Sequence, residues 1–174
     1  MKIVVVEPHA DDAILSMGGH IERWVKDGDP VTILTVYGNP KRDAEAKAYA
    51  EAVGASHIAL GLAEGTPLEE HAGEFVFPED TVLIFPIGIQ HPDHIEVASL
   101  ADEDDWRYLD QPYGSKVGNA EEVIEKTTGL AVHSLFRPHA RKYRHVKLFK
   151  TQSKFFYYND PKVLAMNLEV VFRA

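Results

Sequence analysis

Two short stretches concentrate the residues with chemical potential. Pro8-His9-Ala10-Asp11-Asp12 places an imidazole and two carboxylates within four residues, and His91-Pro92-Asp93-His94 places two imidazoles around a carboxylate. The chain contains no cysteine, which excludes a thiol nucleophile, a disulfide framework and a thiolate metal ligand. Any metal must therefore be held by His, Asp or Glu. Two imidazoles and one carboxylate converging with an open coordination position make a catalytic metal site. His9 and Asp12 are three residues apart at the start of a predicted helix, a spacing that puts both side chains on one face. His94 completes that set. Asp11 is then left beside the ion without ligating it, which suits a general base. A plainer reading exists for each stretch alone: Asp11 or Asp12 as a helix N-cap, Pro92-Asp93 as the cap of the next helix, and each His as a hydrogen-bonded surface residue.

What favours the chemical reading is the elements that carry the two stretches. Lys2 to Val6 is a β-branched run that reads as a strand buried on both faces. Ile14, Met17, Ile21, Trp24 and Val25 then recur at helical spacing from Asp12 to about Lys26, ended by Asp27-Gly28-Asp29-Pro30. Val31 to Tyr37 is a second strand, Asp43 to Val53 a helix closed by Gly54, Ser56 to Leu60 a third strand and Thr81 to Pro86 a fourth. This alternation predicts an α/β fold, a Rossmann-like parallel sheet with helices on both faces. Strands one and four are neighbours in the common doubly wound order, so both stretches leave adjacent strand ends at the switch point, where ligands bind. Further on, Trp106 to Leu109 and Leu130 to Phe136 read as strands, Val146 to Tyr157 as a helix, and Leu168 to Arg173 as an edge strand.

At 174 residues the chain predicts a single domain spanning 1–174. Eighteen Lys/Arg against 27 Asp/Glu give a net charge of −9, which argues against nucleic acid or an anionic membrane as partner. The first apolar run, Ile3 to Val6, is too short for a secretory signal or a membrane span, so the expected location is the cytoplasm.

The stretch from Pro8 to Gly38, PHADDAILSMGGHIERWVKDGDPVTILTVYG, resembles the opening of the LmbE-like (PIG-L) family of zinc-dependent de-N-acetylases, whose signature is His-Pro-Asp-Asp-Glu followed by a Gly-Gly pair and a strand. Gly18-Gly19 stand where that pair belongs. The family's His-x-Asp-His matches His91 to His94, and its Tyr-x-Asp/Glu-x-Pro-Tyr matches Tyr108 to Tyr113. Looser echoes are Lys147 and Thr151-Gln152-Ser153. The resemblance covers roughly residues 1–115. It implies zinc bound by His9, Asp12 and His94, with Fe2+ or another divalent ion as the alternative. It also implies Asp11 as general base and His91 as the group that stabilises the oxyanion or protonates the leaving amine. Ala10 and Ala13 stand where relatives carry Pro and Glu, and the Ala13 change removes a carboxylate whose role is thereby open.

The activity implied is hydrolysis of an N-acyl group, acetyl on an amino sugar such as N-acetylglucosamine. Residues 137–154 hold seven Lys/Arg and no Asp/Glu. They read as a solvated helix face or as a basic wall for an anionic substrate. Arg141, Arg144 and Tyr113 are the candidate substrate contacts. Two other classes compete: a catalytically idle α/β domain that binds a sugar or nucleotide, and a non-heme Fe(II) enzyme built on His9, Asp11 and a distal His. The second usually sits on an all-β barrel, whereas these residues sit on a βα unit.

Overall fold

The computed structural model describes residues 1–137, 140–152 and 168–174. The chain runs β1 (Lys2–His9), α1 (Asp12–Asp27), β2 (Val31–Tyr37), α2 (Pro40–Val53), β3 (Ser56–Leu62), β4 (Thr81–Pro86), α3 (Pro92–Ser99), β5 (Trp106–Tyr108), α4 (Ala120–Lys126), β6 (Ala131–Phe136), α5 (Ala140–Val146) and β7 (Glu169–Arg173). The strands form one sheet in the order β3-β2-β1-β4-β5-β7-β6. The first five are parallel, and β7 runs antiparallel to both β5 and β6.

Alternate residues of a strand face opposite sides of the sheet. In β1 both sets are apolar, and each has its own core. Ile3 and Val5 pack with Ile14, Met17, Ile21 and Tyr49 of α1 and α2, and with Val146 and Phe149 of the C-terminal part. Val4 and Val6 pack with Leu34, Val36, Phe85 and Val97 of α3. Burial of β1 from both sides therefore follows from its apolar run, and it leaves the strand's carboxyl end as the place where polar side chains emerge.

α2 starts at Pro40, three residues before the Asp43 start expected from sequence. The Asn39 side chain accepts from the backbone of Lys41 and Arg42, and Pro40 occupies the first turn, where its missing N–H costs nothing. The extra turn brings Arg42 to the carboxyl edge of the sheet.

The C-terminal third departs further from expectation. Helix α5 ends at Val146, where a helix was expected to begin; a single tight turn follows at Lys150–Gln152, and residues 153–157 of that expected helix lie outside the described residues. The aromatics Phe155 to Tyr158, expected in the core, also lie outside them. β7 is not an edge strand, because it inserts between β5 and β6. Its placement is set by a buried ionic group. Lys142 Nζ donates to the Leu15 carbonyl at 2.6 Å and to Glu169 at 2.8 Å. Glu169 also accepts from the backbone of Gly19 and His20. A buried charge is tolerated only when paired and hydrogen-bonded, and this pair binds α5 and β7 to the middle of α1. Lys142 belongs to the basic run that read as a solvated face or a substrate wall, and it is fully buried. Gly19 is required here: a Cβ on it would stand 2.3 Å from the Phe136 ring.

Candidate functional site

β1 and β4 are hydrogen-bonded neighbours running the same way, so the loops after them open at one edge of the sheet. His9 is the last residue of β1, Asp11 stands at the N-cap position of α1 without a side-chain capping bond, and Asp12 is the helix's first residue. After β4 the chain turns through Gly88 at φ 78°, where a Cβ would meet Ala98 at 2.8 Å, and enters α3 with His91 at the cap position. Two independent βα turns thus deliver their imidazoles and carboxylates to one spot.

Asp12 Oδ2 is the hub. It accepts from the His9 backbone N–H at 2.8 Å and lies 3.3 Å from His9 Nδ1 and 3.2 Å from His94 Nε2. His94 is buried, and neither of its ring nitrogens makes a hydrogen bond. Two ligand atoms each about 2.0 Å from a tetrahedral ion stand roughly 3.3 Å apart. Both imidazole nitrogens have that spacing from Asp12 Oδ2, the three donors lie within 4.8 Å of one another, and an ion among them would satisfy the orphaned His94 nitrogen. His9, Asp12 and His94 therefore fit a divalent metal.

Two carboxylates that sequence reasoning passed over orient this set. Asp93 Oδ2 lies 2.9 Å from His9 Nε2, which places the ring proton on Nε2 and leaves Nδ1 with its lone pair toward Asp12. Asp110 accepts from the Ile89 N–H at 2.7 Å and faces His94 Nδ1 at 3.8 Å. Both lie inside the second and third motifs, so the motifs were the available signal. Burial works against protonation of His94, but Asp12 and Asp110 outweigh it and raise its pKa to about 10. Burial opposes ionisation of Asp12 as well, yet the two imidazoles hold it well below the usual carboxylate range.

Asp11 stands beside this group and outside it. Burial and the neighbouring Asp12 charge push its pKa up, against the pull of Arg42. Arg42 donates to Asp11 Oδ1 at 3.0 Å and to Glu64 at 2.7 Å, and the Gln152 amide oxygen, turned toward it, accepts from the same guanidinium. His91 lies at the mouth, its Nδ1 accepting from the Asp93 N–H at 3.3 Å. Burial and the nearby His9 and His94 push its pKa down. Over the site is a cavity of about 180 Å³ whose walls include Asp11, Arg42, Glu64, His91, Tyr113 and Gln152.

His9, Asp11, Asp12, His91, His94 and Tyr113 are thus brought together. Arg141 is not among them: it borders separate depressions with Glu22 and Lys26. Arg144 is exposed and lines none of these cavities. The cation that reaches the site is Arg42, whose signal was its position just beyond the end of β2. Lys147 is exposed; of the looser C-terminal echo, Gln152 lines the cavity and Ser153 lies outside the described residues.

Below the site, Glu7 is buried. Its carboxylate accepts from the Ala13 N–H at 2.7 Å and from Thr35 Oγ1 at 2.6 Å. Burial outweighs those bonds and raises its pKa from 4.5 to about 8. Between these values the folded chain holds a proton that the unfolded chain has lost, so stability falls as pH rises, by up to about 1.4 kcal/mol per unit. Glu7→Gln should remove this decline. Urea unfolding at pH 5 and pH 7.5 checks it: the stability difference between variant and parent should move in the variant's favour at the higher pH.

No family sequence model and no curated protein matches the chain by sequence. Solved structures do match. A triple mutant of the deacetylase Orf2*T of the teicoplanin biosynthetic pathway superposes with a TM-score of 0.75 at 17% identity, covering 99% of this chain and 97% of that one. The N,N'-diacetylchitobiose deacetylase of Pyrococcus horikoshii gives 0.64 at 17% identity, covering 99% and 82%. GalB, the 4-carboxy-2-hydroxymuconate hydratase of Pseudomonas putida KT2440, gives 0.63 at 17% identity, covering 90% and 82%. The chain has the fold these enzymes share, over nearly its whole length. Among the described residues no helix is long and apolar enough to cross a membrane.

Proposed function

We propose that the chain is a metal-dependent N-deacetylase of the LmbE-like type, acting on a small N-acetylated amino-sugar compound. The observation that carries this reading is the convergence of His9 Nδ1, Asp12 Oδ2 and His94 Nε2 on one point, with Asp11 buried beside them and not among them. The deacetylases among the structural neighbours support the same chemistry. Zinc is the ion we assign to the three donors.

A bound divalent ion supplies Lewis acidity, bringing the pKa of a water from 15.7 toward about 7. Asp11 takes the proton of the attacking water. Arg42 holds Asp11 Oδ1, which fixes the carboxylate and leaves its other oxygen to receive that proton. His91 accepts a backbone N–H on Nδ1, so its own proton sits on Nε2, where it can donate to the oxyanion that forms as the amide carbonyl is attacked. The proton held by Asp11 then passes to the departing nitrogen, and the products are acetate and the free amine. Arg42 is already engaged by Asp11 and Glu64. The carboxylates of Asp11, Asp12 and Glu64 are balanced by the Arg42 guanidinium and the +2 of the assigned ion, so net charge at the cavity gives an anionic substrate no added attraction.

Metal analysis of the purified protein, followed by an acetate-release assay over a panel of N-acetylglucosamine derivatives, tests the reading. A metal-free, inactive protein would point to an idle binding domain. A metal-loaded protein that releases no acetate from any compound would turn attention to water-addition chemistry, the kind for which the hydratase neighbour is named. Arg42→Ala should keep its ion and lose about tenfold in kcat, the scale of one charge-assisted hydrogen bond. Steady-state kinetics on the best panel substrate would show it, and an unchanged kcat would remove Arg42 from the positioning of Asp11.

A further inference from the structure

The His9 ring faces two carboxylates, Nδ1 toward Asp12 at 3.3 Å and Nε2 toward Asp93 at 2.9 Å. On the Asp12 side the third donor is His94. On the Asp93 side it is His91, whose Nδ1 stands 4.0 Å from the same Asp93 oxygen. One donor atom from each of His9, His91 and Asp93 lies within 4.8 Å of the others. A single imidazole therefore separates two donor sets of the same composition, two histidines and one aspartate. Asp93 is buried, and its Oδ1 is taken by the Gly65 N–H at 3.1 Å, so Oδ2 is the oxygen turned to both rings. The His91 side chain is 37% exposed at the mouth. A tetrahedral site needs the 4.0 Å separation to close to roughly 3.3 Å, so His91 must turn its ring and give up the bond that Nδ1 accepts from the Asp93 N–H to serve as ligand.

We propose that His9 Nε2, Asp93 and His91 form a second, weaker divalent-cation site, antagonistic to the first because the two share one ring. A neutral imidazole keeps one N–H and ligates one ion. When Nε2 takes the second ion, the proton it gave to Asp93 moves to Nδ1, and the first ion is left with Asp12 and His94. The same event captures His91. Excess cation is therefore inhibitory, a consequence that rests on the deacetylase reading, whereas the site itself rests on the donor geometry.

Co2+ is the probe, followed by equilibrium dialysis and visible absorption in the parent protein and in His91→Ala. The parent should take up one equivalent tightly and a second about 10²-fold or more weakly, since the second ion leaves the first with two protein ligands; dialysis therefore runs to free Co2+ in large excess, where both weakened sites fill. The second uptake should carry its own absorption change. His91→Ala should keep the tight equivalent and lose the weak one, and His91→Gln provides the same comparison with a bulkier side chain at the mouth. A parent that saturates at one equivalent overturns the proposal. So does a second uptake that survives unchanged in both His91 variants. Weak His91-dependent uptake without a tight equivalent would leave the second site standing and remove the deacetylase reading.

Discussion

On the proposed ligand set, His94→Ala should lose the tightly bound ion and with it acetate release. His94 is buried, donates and accepts no hydrogen bond, and points Nε2 at the Asp12 oxygen from 3.2 Å. Its removal takes one of three protein ligands from the ion and leaves Asp12 with His9 alone. A site of two protein ligands holds zinc weakly, because catalytic zinc sites use three. Metal content after dialysis against buffer, measured beside acetate release, checks this. Retention of a full equivalent with unchanged affinity would overturn the ligand assignment. The vacated space is small and polar, so a circular dichroism spectrum like the parent's is expected, which separates ion loss from unfolding.

Asp11→Asn gives the opposite pattern. The amide keeps the shape of the side chain and can still accept from Arg42, but it cannot take a proton. The ion should stay bound at one equivalent while kcat falls by about 10²-fold or more, the contribution typical of a general base. KM should change little, since the proposed role sets Asp11 against the attacking water and not the body of the substrate. Equal loss of metal and activity would instead make Asp11 a ligand. The geometry argues against that outcome, since Oδ1 is committed to Arg42 and Asp12 is the carboxylate facing the two imidazoles.

Much of the site was legible because it is local. The His9-to-Asp12 spacing is set by one strand-to-helix turn, and the His91-to-His94 stretch by another; the doubly wound order then makes β1 and β4 neighbours. What was not legible depends on where separate turns point. Asp93 reaches His9 only because the turn through Gly88 and Gln90, both at positive φ, rotates α3 toward β1. Arg42 meets Asp11 because Asn39 and Pro40 start α2 a turn early. Lys142 is the clearest case. A lysine inside a run of seven cations reads as solvated, and only its pairing with Glu169, 27 residues on, accounts for its burial. Composition favoured a surface; a long-range partner decided otherwise.

The insertion of β7 between β5 and β6 bears on how the chain is made. A ribosome delivers β5 and β6 before residue 169; β5 can pair with β4 as it emerges, but β6 has no strand to join until β7 arrives. During that interval the β7-facing edge of Trp106–Tyr108 stays unpaired, and Lys142 lacks the Glu169 counter-charge. An open strand edge on a partly assembled sheet recruits other chains, and non-local pairing closes slowly. The nascent protein is therefore most prone to self-association before β7 has emerged, and lowering the expression temperature should raise the soluble yield.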